Sequence, residues 1–320
     1  MSVPFLAAAH VRAALGPGEA VEAVRTAFVE HARGEWFMPS KVYVPVPPDG
    51  DFRAMPAAGA GHAVLKWVTS FPRNPERGLP TVAGVVLLSD ASTGELRALL
   101  DAGAVTALRT GAAAVLAAET LARQTSGPAA VVGSGVNGRA VAATFVARGR
   151  RVLLWDTRPE AAEAAAEELG EDAQVAAEKA EALSADIVAT VTPGFEILFG
   201  PGSLQPGQHV SLMGADGPGK AEIANEELLR ARVVCDEWEQ ASHNGEIGHA
   251  LDAGLGRDDV AELGRVLTGE EEGRHDDEEI TVFDSTGLAV QDLAVSLAVY
   301  ARWRADPGAD SFLGVTEISL

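Results

Sequence analysis

The chain has 320 residues, 47% hydrophobic and 22% charged, and a net charge of −21, a globular composition and not a disordered one. That acidity argues against a nucleic-acid binder, which needs a Lys/Arg face for phosphates, and against a protein held on an anionic membrane. The single cysteine, Cys235, excludes an intrachain disulfide. The N-terminus lacks a basic start followed by an apolar core and cleavage site. The Ala-rich runs are interrupted by Arg, Glu or Thr, short of the roughly 20 uninterrupted apolar residues of a membrane span, so a cytoplasmic protein is expected.

In chain order, residues 19–33 read as an amphipathic helix with Val21, Val24, Phe28 and Ala32 on one stripe. Short β-like runs follow at 41–46, 63–69, 81–88 and 96–101, separated by Pro and Gly, which suggests an antiparallel or mixed sheet. A long helix over 101–123 leads out of this part. After Gly127 the rhythm becomes strand–helix alternation. Strands are expected at 129–132, 151–155, 187–191, 209–213, 232–235 and 280–283, with helices at 138–148, 159–169, 221–230 and 241–255. Apolar strands with intervening helices imply an α/β domain with a parallel sheet and helices on both faces. The expected organisation is an α+β first domain over 1–125 and a Rossmann domain over 126–287. A last helix, within 288–320, is expected to pack back on the first domain.

The strand at 129–132 runs into Gly133-Ser134-Gly135-Val136-Asn137-Gly138, a G-x-G-x-x-G turn that opens a helix. In such a turn Gly133 allows the tight bend, Gly135 lets a pyrophosphate approach the backbone, and Gly138 allows close helix–strand packing. Asp156 lies 23 residues after Gly133, near the offset of a carboxylate on adenosine ribose hydroxyls. Its charge would repel a 2′-phosphate and favours NAD over NADP, while Arg158 keeps NADP as the alternative.

Lysine is scarce: only Lys41, Lys66, Lys179 and Lys220. Lys66 sits in an apolar run, Val64-Leu65-Lys66-Trp67-Val68, where a charge needs a partner or ligand. Arg109 precedes an Ala-rich helix. Two cations from different segments suit a substrate carboxylate. The bland alternatives are an edge-strand lysine lying along apolar surface and an ordinary helix-surface arginine. Asp216 stands before Gly217-Pro218-Gly219, which by itself is plain turn chemistry. His243 and His249, six residues apart on one helix, would diverge by about 120° and make no zinc pair. Residues 270–279 hold seven acids and read as a solvated loop.

Lys66-Trp67-Val68, Asn74-Pro75, 77–81, Thr93-Gly94, 109–113, 214–220 with Glu222, and 283–289 with Gln291-Asp292 together resemble the ornithine cyclodeaminase/mu-crystallin family. The stretch 50–56 resembles the branch of archaeal alanine dehydrogenases. The resemblance implies a two-domain homodimer whose N-terminal domain binds a small amino or imino acid. It implies that Lys66 and Arg109 hold the substrate carboxylate, with Lys41, Arg53 and Thr286 also at the substrate. It places Thr81, Arg109, Thr110, Val136, Asn137, Asp156, Thr192, Met213 and Lys220 along the dinucleotide, Ser285 near the nicotinamide, and Asp216 and Lys66 in catalysis. Two departures stand out. Lys41 takes the place of an upstream carboxylate-binding Arg. Arg53 takes the place of the Glu that helps cyclodeaminases bind a distal ammonium. The expected activity is NAD-dependent oxidoreduction at the Cα–N bond of a small amino acid, or reduction of the corresponding imine. Cyclodeamination with catalytic NAD, or ligand binding of the mu-crystallin type, are the alternatives.

Overall fold

The computed structural model describes residues 2–125, 127–217 and 219–319, with Pro75 described by its backbone alone. Met1 and Pro218, the latter part of the 214–220 block, lie outside the described residues. The chain forms two compact units, Met1–Arg109 with Leu288–Leu320, and Thr110–Gly287.

The first unit opens with β1 (Ser2–Leu6), α1 (Ala8–Ala14) and α2 (Pro17–Ala32). Pro17 suits the first helical turn, and Glu19 reaches back to accept from the Gly16 N–H at 3.1 Å. Ala20, Val21, Val24, Ala27 and Phe28 form its buried stripe. Then come β2 (Val42–Val46), β3 (Gly50–Gly59), β4 (His62–Ser70), β5 (Val82–Asp90), β6 (Leu96–Asp101) and α3 (Ala102–Leu121), in which the division between the units falls. By length and composition α3 is apolar enough to cross a membrane, but 78% of that window is buried inside the protein.

The second unit runs β7 (Ala129–Val132), α4 (Val136–Ala147), β8 (Val152–Trp155), α5 (Pro159–Leu169), β9 (Ala173–Val175), α6 (Lys179–Leu183), β10 (Ile187–Thr190) and β11 (His209–Leu212). It continues through α7 (Asn225–Leu228), β12 (Arg232–Cys235), α8 (Trp238–Asn244), α9 (Ile247–Ala250), β13 (Val260–Glu262), α10 (Leu263–Thr268) and β14 (Thr281–Asp284). The chain then returns to the first unit with α11 (Ala289–Ala305) and β15 (Thr316–Ser319).

In the first unit the sheet order is β15-β1-β6-β5-β4-β3-β2, antiparallel except where β1 meets β6. Alternation puts Arg53, Met55 and Ala57 of β3, Val64, Lys66 and Val68 of β4, and Val86 and Leu88 of β5 on one buried face. α11 packs across β3, β4 and β5 and against α2. Strand β3 has no counterpart in the sequence reading, because Pro56, the flanking glycines and the charges at Asp51 and Arg53 mask its alternation.

The second sheet is wholly parallel, in the order β13-β12-β14-β11-β10-β7-β8-β9. The sheet grows one way from β7 through β8 and the other way through β10, so the strand order reverses between β7 and β10. Such a switch point is where open α/β sheets bind ligands, at the carboxyl ends of the strands. Two helices differ from expectation. The 221–230 helix shrinks to α7, because Ile223 is drawn into an extended bridge with Phe199. The 241–255 helix breaks into α8 and α9 around Gly245, whose missing Cβ makes room for the Asp284 carboxylate, 2.4 Å from where that atom would stand. His243 and His249 consequently lie on different helices.

Candidate active site

The glycine turn after β7 is built by close approaches. Gly133 has φ +102°, and a Cβ there would sit 2.5 Å from the Val191 carbonyl oxygen. A Cβ on Gly138 would sit 1.8 Å from the Gly133 carbonyl oxygen, so the third glycine is required by packing alone. Gly135 differs: no heavy atom lies within 4 Å of its Cβ position, and it caps α4. Open backbone at a helix N-terminus is what a pyrophosphate needs. Beside it, the Ser134 hydroxyl is buried without a hydrogen-bond partner. These features fit a dinucleotide. Val136 is exposed at the first turn of α4 and Asn137 follows it.

Asp156, at the end of β8, is nearly buried. Its carboxylate accepts from the Ser134 N–H at 2.6 Å and the Arg158 N–H at 2.9 Å. Arg158 Nε stands 3.6 Å from Asp156 Oδ1 with its side chain 65% exposed, so the cation weighed for a 2′-phosphate is engaged by the acid. Past β10, the Thr192 hydroxyl donates to Glu222 at 2.6 Å. Past β11 come Met213 and the loop to Lys220, where Lys220 Nζ pairs with Asp216 Oδ1 at 2.6 Å and lies 5.8 Å from the Phe195 ring centre. Ser285 and Thr286, after β14, both give their hydroxyls to Asp236, at 3.3 and 3.1 Å. Thr110, at the start of the second unit, has a buried hydroxyl without a partner.

The remaining expected residues lie in the first unit. Lys66 is 1% exposed, and both oxygens of the Asp292 carboxylate lie within 2.8 Å of its Nζ. Thr106 Oγ1 is 3.3 Å from the same nitrogen. Arg109 Nε stands 3.7 Å from Asp292 and makes no hydrogen bond. Burial lowers the Lys66 pKa to about 8, with Asp292 opposing the fall and the charges of Arg109 and Lys41 adding to it. Buried Lys66 and the partly buried Arg109, its side chain 13% exposed, thus share one buried acid. Arg53 is held by Asp51 at 2.6 Å, with its guanidinium 5.3 Å from the Tyr43 ring centre. Thr81 lies just before β5, its carbonyl accepting from the Phe71 N–H.

Sequence reasoning quoted Asp292 within a motif but gave it no task. The available signal was an acid in the apolar run from Leu288 to Val295, opposite a lysine that needed a partner. Among the described residues no cluster of three or more His, Cys, Asp or Glu is arranged to hold a metal ion.

A parallel sheet with a glycine turn at its switch point and a carboxylate at the end of the next strand defines a dinucleotide-binding oxidoreductase fold. The ornithine cyclodeaminase/mu-crystallin family model matches residues 3–306, and the chain belongs to that family. It is 41% identical over 307 residues to the alanine dehydrogenase of Archaeoglobus fulgidus, covering 94% of this chain and 95% of that protein. An archaeal alanine dehydrogenase dimer solved with bound NAD superposes with a TM-score of 0.91 at 39% identity, covering all of both chains. The Thermococcus litoralis Delta(1)-pyrroline-2-carboxylate reductase, solved with NADH and L-proline, gives a TM-score of 0.90 at 26% identity, covering 99% of this chain and 100% of that one. The chain is an NAD-dependent oxidoreductase of this family.

Three outcomes follow from this geometry. Gly138→Ala forces a backbone clash and should destabilise the fold by about 1–3 kcal/mol or more in urea titration. Gly135→Ala should keep the melting temperature near wild type while weakening NADH about tenfold or more, about 1.4 kcal/mol, by fluorescence titration. Asp292→Asn leaves buried Lys66, beside Arg109, without an anion and should lose about 3–5 kcal/mol, part of which Lys66→Met should restore in the same denaturation assay.

Proposed function

We propose that the chain interconverts a small amino acid and its 2-oxo acid plus ammonia, through the imine, in the manner of an alanine dehydrogenase. The observation that carries this reading is the excess of cation over acid where Lys66 and Arg109 meet the single carboxylate of Asp292. A substrate carboxylate supplies the missing charge, and the Arg109 guanidinium offers it a planar fork that an ammonium cannot. NAD, when bound, accepts the hydride from Cα, and NADH returns it to the imine carbon in the other direction. The residues proposed along it are Thr81, Arg109, Thr110, the 133–138 turn, Asp156, Thr192, Met213, Lys220 and Ser285, with Lys41 and Thr286 assisting at the substrate.

Asp216 takes a proton from the substrate ammonium and activates the water that hydrolyses the imine. Lys220, 2.6 Å away, holds its carboxylate in place. Arg53 shapes the substrate side chain. Its charge is met by Asp51, and a cation at that position disfavours a diamine, which counts against cyclodeamination of ornithine or lysine. A short uncharged side chain is the best match.

The assembly we propose is a homodimer, formed in the cytoplasm. On one face of the first sheet Val42, Ala54, Trp67 and Val85 stand in register, with Val44 beside Phe52. Val42, Val44 and Trp67 are 56%, 45% and 39% exposed, an apolar surface of the kind that marks an interface. The similar alanine dehydrogenase structure is a dimer.

Asp216→Asn should lower kcat by about 100-fold or more while leaving NADH affinity within about threefold of wild type, about 0.7 kcal/mol. The assay is nicotinamide absorbance across keto acids with ammonia. Near-wild-type turnover in that variant removes Asp216 from the mechanism. The Lys66 pKa of about 8 gives a pH dependence: kcat/KM for the carboxylate substrate should fall as the pH rises through 8, because the neutral amine no longer attracts it.

A further inference from the structure

Three carboxyl groups in the second unit are fully buried and have no part in the chemistry above: Glu222, Glu246 and Asp284. They are tied into a chain. Glu222 accepts from the Thr192 hydroxyl at 2.6 Å, the Thr190 hydroxyl at 2.7 Å and the Gly214 N–H at 3.0 Å. Glu246 accepts from the N–H of Glu222 at 2.7 Å, and Asp284 accepts from the N–H of Ile247, next to Glu246, at 3.0 Å. Two glycines leave the space these carboxyls fill. A Cβ on Gly214 would stand 2.6 Å from the Glu222 carboxyl, and one on Gly245 2.4 Å from Asp284.

The chain crosses the carboxyl ends of β10, β11 and β14, which are neighbours in the sheet. It holds Gly214, two residues before Asp216, and Thr192. Among the described residues no Lys, Arg or His forms an ion pair with any of the three acids, and the nearby Lys220 is taken by Asp216. Glu246 Oε2 and Asp284 Oδ1 are buried without hydrogen-bond partners. The charge of Asp236 reaches Asp284, and both reach Cys235 at the end of β12, while His249 of α9 is engaged through Nε2 with the Lys220 carbonyl. Adjacent buried carboxylates repel, so a proton is the cheapest counter-charge.

We propose that Glu222, Glu246 and Asp284 form a proton-holding bracket that positions the Asp216 loop, with Glu246 keeping its proton at neutral pH. Burial, joined by the charges of Asp284 and Glu222, pushes Glu246 up to about 9. Burial also pushes Asp284 up to about 7, with Asp236 and Glu222 adding to the rise. Glu222 is raised by burial against the pull of its three donors. In the unfolded chain a glutamate ionises near 4.5. Between there and 9 the unfolded state therefore binds fewer protons than the folded one, and stability falls as pH rises through that window. The activity arm of the test rests on Asp216 being the acid/base group; the melting arm does not.

Glu246→Gln keeps an acceptor for the Glu222 N–H and stays neutral at every pH. Melting temperatures measured from about pH 5.5 to 9.5 should fall with pH in the wild type and fall less in E246Q. The variant should be several degrees higher at the alkaline end and no higher at the acid end. Parallel curves overturn the proposal. In the second arm, Glu222→Leu removes the acceptors and should lower kcat about 10-fold to 100-fold with NADH affinity nearly unchanged, while Glu222→Gln restores most of the loss. A folded E222L enzyme with wild-type kcat overturns the positioning role. Should E222L fail to fold, the melting comparison decides alone. If the wild type turns over no amino or keto acid tested, that failure belongs to the proposed function, and the melting curves still judge the bracket.

Discussion

A lysine ammonium sealed inside a protein has to be answered by an anion, and here the answer comes from more than two hundred residues away in the chain. Lys66 sits on the covered face of its strand, 1% exposed, and Asp292 descends onto it from α11. This pair fixes several things together. It ties α11, which lies over β3, β4 and β5, to the middle of β4. It keeps the lysine charged against the pull of burial. It also shares its acid with Arg109, so the charge count stays one anion short. On the proposed reading a ligand carboxylate completes the balance.

The second unit solves the opposite problem. Carboxyls outnumber cations behind the candidate catalytic loop, and the structure answers with backbone N–H groups, hydroxyls and protons. Under the two proposals the arrangements follow one rule: a buried charge is tolerated where the remaining partner is a species the protein can recruit, a substrate anion in one case and a proton in the other.

Legibility in the sequence followed locality. The strands at 96–101, 129–132 and 232–235 and the helix at 159–169 stand where their patterns predict, because apolar periodicity and flanking Gly or Pro decide them. The packing roles of Gly133 and Gly138 were readable, since each meets backbone of the turn itself or of the adjacent strand's end, while Gly135 stands open. Helix 241–255 was misread because its break at Gly245 is imposed by Asp284 from another strand. Strand β3 was missed because its proline and charges hide an alternation that only its neighbours reveal. At the site, Lys66 and Arg109 were picked out as charges in apolar surroundings. Asp292 and the task of Glu222 required the tertiary fold, because nothing in their own segments says what they face.

The net charge of −21 takes its meaning from how the few cations are used. In the 270–279 run, seven acids surround Arg274, and that arginine does not simply neutralise them. Its guanidinium donates to the carbonyls of Leu121, Gly207, Gln208, Asp276 and Glu279 and to the Thr281 hydroxyl. It therefore pins the acidic loop to the amino-terminal ends of β11 and β14. Arg230 likewise meets the Leu204 carbonyl as well as Glu227. Cations here are spent on backbone carbonyls and on carboxylates that must stay put, and apart from the buried Glu222, Glu246 and Asp284 many unmatched acids are left at the surface, where water screens them. An acidic exterior of this kind repels anions non-specifically. The cluster at Lys66 and Arg109 is then a local exception, and on the proposed reading it selects a small carboxylate by geometry instead of by bulk charge.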